Sequence, residues 1–277
     1  MSYDEPNNPV PLIAVVAAVV AAAAFGWFYW SDREATLAEP PAEPIAELPP
    51  EPVDEGPAYP LPPAMPERSA PETLTPLPPL SDSDRYFELE LAGVLGSGIA
   101  EVLVNEALIE KVVATIDNLP RSIVSERIRP VGGLSEPFSA DGQDGSGAFT
   151  MNPANYDRYD LLVVMLARAD RDELVDVYRR FYPLFQEAYE SLGYPDAYFN
   201  DRLVEVIDHL LETPDVPEPI ALVRPHVLYE FEDPAIESRS AGQKLLIRVG
   251  SEHRVVIKQF LEDIRDRITV NVPGNRN

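Results

Sequence analysis

The chain of 277 residues carries 47 acidic side chains against 22 Lys and Arg, a formal net charge of −25. A field of that sign repels phosphate backbones, so no nucleic-acid partner is expected. Cysteine is absent, which excludes a disulfide framework, a thiolate metal site and a cysteine nucleophile.

After a short tail over 1–9, no charged residue occurs between Pro6 and Ser31, and the run 10–30 is apolar, closing on Phe25, Trp27, Phe28, Tyr29 and Trp30. About 20 apolar residues span a bilayer core, and an aromatic cluster fits the headgroup level. A cleaved signal peptide, with Ala22-Ala23-Ala24 as its site, fits less well, because a basic n-region is missing and the apolar run continues beyond it. The reading is one transmembrane helix. Arg33, flanked by Asp32 and Glu34, is a weak retention signal, and a short tail before a large C-terminal domain goes with a cytoplasmic N-terminus. The expected location is therefore a bacterial inner membrane, crossed once, with the C-terminal domain in the periplasm.

Residues 31–82 form an acidic Pro-rich linker, with fifteen prolines between Pro40 and Pro79. Each proline fixes its own φ and lacks a donor, so neither helix nor ladder is expected. The segment reads as a disordered, semi-rigid spacer reaching on the order of 100 Å over forty residues. A docking site for a proline-reading partner is the alternative.

From 83 to 270 the pattern is that of one mainly α domain, a helical bundle with a small extended or hairpin element, before a tail over 271–277. Ser81-Asp82-Ser83-Asp84 offers N-caps for a first helix that Gly96 ends. Val102, Leu103, Leu108, Ile109, Val112, Val113 and Ile116 give a second helix over 100–118. The stretch 121–151 holds Pro130, Pro137 and a Gly-rich turn between Phe138 and Phe149, and reads as a long loop with a β-hairpin. Asn152 or Asn155 caps a helix to Ala169, and Asp170 caps another over 171–192 in which Pro183 predicts a kink. A helix over 200–211 follows, then an extended stretch over 222–231 that pairs weakly with the hairpin. Two helices close the domain, over 235–249, ended by Gly250, and over 251–268, with Ser251 as N-cap.

Signatures of known chemistry are missing. Asp141-Gly142-Gln143-Asp144-Gly145 lacks the carboxylate spacing of a calcium loop and reads as a plain turn. His209 stands three residues before Glu212 without the second histidine that a zinc hydrolase requires, and reads as a histidine at the edge of the core. His226 and His253 share no motif with another ligand type, and neither a nucleophile elbow nor a phosphate loop occurs. No catalytic residue, metal ligand or cofactor is assigned. What stands out is a set of Tyr and Arg near turns, from which Arg121, Arg129, Tyr156, Arg158, Tyr159, Arg202 and Tyr229 are the candidates to line a groove for a carboxylated or sugar-bearing ligand. The alternative is that Tyr fills helix interfaces while Arg bonds loop carbonyls.

Read in order, Asp117-Asn118-Leu119-Pro120-Arg121, Asn155-Tyr156-Asp157-Arg158-Tyr159, Leu192-Gly193-Tyr194, Tyr229-Glu230-Phe231-Glu232-Asp233-Pro234 and Ser240-Ala241-Gly242-Gln243-Lys244 resemble the proteobacterial family called domain of unknown function 3014. The resemblance runs from about Ser83 to Ile268 and extends to the layout of anchor and spacer. It implies a single-span envelope protein, and it carries over no catalytic residue. Three functions are open at this point: an interaction or scaffolding module for an envelope protein or the cell wall; a hydrolase or transferase using Asp160, Glu205 or Asp233 with Arg202; and a structural subunit of an inner-membrane complex.

Overall fold

The computed structural model describes residues 56–62, 76–132, 137–142 and 147–269. The anchor read over 10–30 lies outside the described residues, as do the tails over 1–9 and 271–277. No helix among the described residues is long and apolar enough to cross a membrane. The described part is mainly helical with one small antiparallel sheet. Its elements in order are α1 (Asp84–Leu95), α2 (Leu108–Asn118), β1 (Ala140–Gly142), β2 (Ala148–Met151), the single turn α3 (Ala154–Asp157), α4 (Asp160–Arg168), α5 (Arg171–Ser191), α6 (Phe199–Leu211), β3 (Ala221–Val223), β4 (Glu230–Phe231), the single turn α7 (Pro234–Glu237), α8 (Ala241–Arg248) and α9 (Ser251–Ile268).

The apolar stripe of α5 meets α1 and α2 on one side and α6 and α9 on the other. Phe87, Phe181, Phe185 and Phe199 form the centre, with Phe87 at 5.0 Å from Phe181 and Phe185 stacked on Phe199 at 5.6 Å between centroids. Asp170 caps α5 as expected, accepting the amides of Asp172 and Glu173 at 2.9 and 3.1 Å, and the helix runs on through Pro183. The expected hairpin is present, and the stretch expected as extended over 222–231 joins it as two short strands, Ala221–Val223 and Glu230–Phe231, paired with each other. The strands run β1-β2-β3-β4, antiparallel throughout. Phe149 faces Leu222, which faces Phe231. With Met151, Ile220 and Ile247 these inward residues make a second, smaller core, as the two-residue period of a half-buried strand requires.

Three boundaries differ from the sequence reading, the first two because a distant polar group takes over and the third because a local cap does. The second helix starts at Leu108 instead of residue 100. Asp84, the first residue of α1, accepts the amides of Ala107 and Leu108 at 2.8 and 2.7 Å, and Ala107 takes the left-handed φ of 52°, so the cap of α2 comes from another helix. The helix expected over 152–169 breaks into α3 and α4. Asn152 Oδ1 accepts the Ala154 amide at 2.8 Å, while the Asn155 side chain accepts from Ser139 N and donates to Ser139 O at 2.9 and 2.6 Å, holding the start of the hairpin. The helix expected over 235–249 breaks at Ser240, whose Oγ accepts the Gln243 amide at 3.2 Å and so starts α8. Ser251 is not a cap: Gly250 turns the chain at φ 89°, and the Ser251 amide goes to Glu218 at 2.8 Å.

The closest backbone approach that positions the site is at Gly242, in the first turn of α8. Its amide donates to Leu119 O at 3.0 Å, next to the bond from Ala241 N to Arg121 O at 2.7 Å. A Cβ at Gly242 would stand 2.5 Å from Leu210 Cδ2 and 3.2 Å from Leu119 O. Gly242→Ala is therefore expected to destabilise the domain by about 1–3 kcal/mol through overpacking, against a helix-propensity gain of about 1 kcal/mol. Denaturant unfolding of the variant checks this, and a gain in stability would show that Leu210 relaxes freely.

Candidate functional site

α8 is buried along its whole length, so whatever polar side chains it carries must be satisfied inside the protein. Its two ends organise two polar clusters, roughly 10 Å apart at the helical rise of about 1.5 Å per residue.

At the N-terminal end lies Asp117, a carboxylate only 3% exposed. Its Oδ1 accepts Arg202 Nε at 2.9 Å and its Oδ2 accepts Arg121 Nη2 at 3.0 Å. Arg202 also donates to the Asp117 carbonyl at 2.8 Å and to Glu205 at 3.3 Å. Arg121 reaches the Tyr194 hydroxyl at 3.4 Å, and the Tyr194 ring stacks on Tyr189 at 4.8 Å. Burial pushes the Tyr189 phenol up to about 12, with the Asp117 charge adding to it. His209 shares the corner, its Nε2 2.8 Å from Ser240 Oγ and its carbonyl accepting Gln243 Nε2 at 3.0 Å. Arg121 and Arg202 are thus brought together, but in the service of Asp117.

The C-terminal half is different. Lys244, 2% exposed, donates to Glu237 Oε1 at 2.8 Å and to its carbonyl at 3.0 Å. Glu237 Oε2 accepts the Phe231 amide at 3.0 Å, which ties α8 through α7 to β4. One turn further on, the Arg248 guanidinium lies over the Phe231 ring at 4.7 Å. Among the described residues it has no hydrogen-bonded carboxylate. Burial lowers its pKa, and Glu237 and Tyr159 oppose that from longer range. Tyr159, 3% exposed, has its phenol raised by burial, with the charges of Arg158 and Arg248 opposing. Arg158 stands 6.0 Å from the Tyr159 ring centroid. Its Nη1 reaches Asn155 Oδ1 only at 3.5 Å, and its Nε is buried without a partner. Arg158 and Arg248 are therefore linked electrostatically to Tyr159, and their guanidiniums keep hydrogen-bonding capacity in hand, matched in kind to a carboxylate or another flat anion.

The remaining candidates lie elsewhere. Tyr156 packs its ring against Gly250, where a Cβ would come within 2.9 Å; burial pushes its phenol up to about 12, with Glu218 adding and Arg254 opposing. Tyr229 packs at 5.1 Å from Phe149 and 5.7 Å from Phe138 on the sheet, with Arg224 over it at 5.6 Å. Arg129, 5% exposed, sits in the loop that bonds back to Val102 and Val104, with Nε and Nη1 unpartnered. Burial lowers its pKa to about 10, with Glu126 opposing. Reading the sequence missed Lys244 and Arg248. The signal was there in Leu245-Leu246-Ile247, an apolar run that leaves α8 no solvent face for its basic residues.

The carboxylates considered for hydrolysis serve separate ends. Asp160 pairs with His253 at 3.0 Å, Glu205 with Arg202, and Asp233 caps α7 through the Ala235 amide at 2.8 Å. Among the described residues no group of three His, Asp or Glu is placed to hold a metal ion.

The family described as "Protein of unknown function (DUF3014)" matches this chain over residues 108–265. The chain belongs to the DUF3014 family. The match covers more than half of the chain and takes in both polar clusters, while α1 and residues 56–62 fall outside it. No curated protein and no solved structure matches the chain.

His209 gives the DUF3014 domain a pH signature. Its pKa lies below the ordinary 6.5 because of burial, with Glu212 opposing and Arg202 and Arg239 adding to the shift. The unfolded chain then binds the proton first, so this contribution to stability is full above about 6.5 and is lost as pH falls through the folded value. Unfolding free energies measured between neutral and mildly acidic pH are expected to fall more steeply in the native chain than in His209→Gln. Equal slopes would contradict the assignment.

Proposed function

We propose that Arg158, Tyr159 and Arg248 line a recess, and that the DUF3014 domain is an interaction module that captures there a carboxylate of an envelope protein or wall polymer. In this reading residues 10–30 anchor the chain in the inner membrane and the domain works in the periplasm. The observation that carries the binding step is Arg248, 9% exposed and without a carboxylate partner, in a chain where acids outnumber Lys and Arg by 47 to 22. A shortage of acids does not explain a buried cation left without one. Such a cation is costly to bury, and a ligand carboxylate forming a forked pair with it recovers part of that cost. Tyr159 adds a hydroxyl donor, and the Phe231 face excludes water from one side.

The hydrolase or transferase reading would need Asp160, Glu205, Asp233 and Arg202 to act on one substrate, and these groups are committed to different partners. The structural-subunit reading makes no use of the recess.

The test is retention from solubilised envelope extracts and purified wall fragments on the immobilised full chain. Native chain is expected to retain a protein or wall polymer bearing free carboxylates. Arg248→Gln and Arg158→Gln are each expected to lower retention at least about tenfold, the effect of losing one charge-assisted pair. Equal retention by all three chains would refute the recess as the binding site.

A further inference from the structure

Residues 56–62 belong to the Pro-rich segment, yet the domain holds their backbone. Asp201, in the first turn of α6, accepts two consecutive amides, Ala58 N on Oδ2 at 2.8 Å and Tyr59 N on Oδ1 at 2.7 Å. Its neighbour Asn200, 1% exposed, donates Nδ2 to the Tyr59 carbonyl at 2.7 Å and to the Ile268 carbonyl at the end of α9 at 3.0 Å, and accepts the Tyr178 hydroxyl at 3.1 Å. Tyr59 and Leu61 pack, half-buried, against the main core. Pro57, Pro60 and Pro62 have no amide hydrogen, and the two amides that the Asp201 carboxylate takes are those of the adjoining residues Ala58 and Tyr59. Two acceptors and one donor therefore read the backbone, and two side chains supply the apolar contact. Those are the components of a site for a short peptide bend, with Ala58 and Tyr59 at the bend and prolines on either side.

We infer that the corner between the start of α6 and the end of α9 is a recognition site for a proline-containing segment bent at Ala58 and Tyr59, and that residues 56–62 of the same chain are its resident occupant. Asn200 couples the two: its buried carboxamide is fixed from within by Tyr178 and Ile268, so the donor offered to Tyr59 is already in place before the segment arrives. The segment is thereby a clip on the tether. When it is closed, the chain between residue 31 and the domain consists of residues 31–55. When it opens, residues 56–75 are added, 45 residues in place of 25, and the maximum reach nearly doubles, since reach scales with the number of residues. This inference stands apart from the carboxylate recess and survives its failure.

The full chain, purified in detergent micelles, tests it by amide hydrogen exchange and by spin-label distances. In the native chain the Ala58 and Tyr59 amides are expected to exchange about 100-fold more slowly than in an unstructured peptide, the scale of a few backbone-directed hydrogen bonds. Tyr59→Ala, which leaves the domain itself untouched, and Asp201→Ala are each expected to remove most of that protection. Because the chain has no cysteine, Val53→Cys and Val255→Cys label two sites alone. Doubly labelled chains diluted in unlabelled chain are expected to give one narrow distance, which Tyr59→Ala broadens. Exchange of Ala58 and Tyr59 at the unstructured rate in the native chain would overturn the inference. So would a narrow distance found only in mixtures of singly labelled chains, because the occupant would then come from a second copy.

Discussion

Among the described residues four cations and one carboxylate are buried, Arg129, Lys244, Arg248, Arg254 and Asp117, although acids outnumber bases along the chain. The outside of the molecule is acidic and its interior basic. Guanidinium groups allow this inversion because they stay charged and their long stems cover apolar surface. The surrounding negative field works in the same direction, since it lowers the energy of a positive charge wherever water screens it poorly. The cations differ in how they are met. Lys244 has Glu237 in full contact, Arg254 has Asp215 at 3.4 Å on an exposed side chain and the Leu246 carbonyl at 3.5 Å, and Arg248 has an aromatic face.

The fold follows from where these charges are met. Asp117 fixes α2 to α6 through Arg202 and to the following turn through Arg121, and that turn offers Leu119 and Arg121 carbonyls to the start of α8. Gly242 allows the approach. α8 then delivers Lys244 to Glu237 and Arg248 to Phe231, which seats the four-stranded sheet on the bundle. At the start of α6, Asn200 gathers α5, α6, α9 and residues 56–62 at one point. The carboxylate recess and the peptide corner are thus held by different buried groups.

Much of this was legible. The caps at Asp170 and the turn at Gly250, the apolar stripe of α5, the hairpin and its third strand all follow from local periodicity and turn chemistry. The break at Ser240 is a local cap, and the other exceptions share a cause. Asp84 caps α2 from more than twenty residues away, Asn155 leaves its own helix to hold Ser139, and Glu218 takes the Ser251 amide. Each is a long-range side-chain bond to backbone, which no window of sequence displays. The seven candidate Tyr and Arg were chosen by residue type near turns. That criterion found Arg158 and Tyr159 but could not separate them from Arg121 and Arg202, whose partner Asp117 sits on another helix. It passed over Arg248, which lies inside a regular helix. Residues 56–62 read as spacer because their composition forbids a ladder, and nothing in composition shows that Asp201 and Asn200 are built to hold them.

If Arg248 is kept for a ligand, the folded domain gains little from its charge. The direct measurement is the unfolding free energy of Arg248→Met in the absence of ligand, a change that keeps the apolar stem and removes the cation. A buried cation without a partner predicts a stability within about 1 kcal/mol of the native chain, or higher. A loss of about 3–5 kcal/mol, the cost of breaking a buried ion pair, would show that Arg248 is a structural charge and would contradict the account.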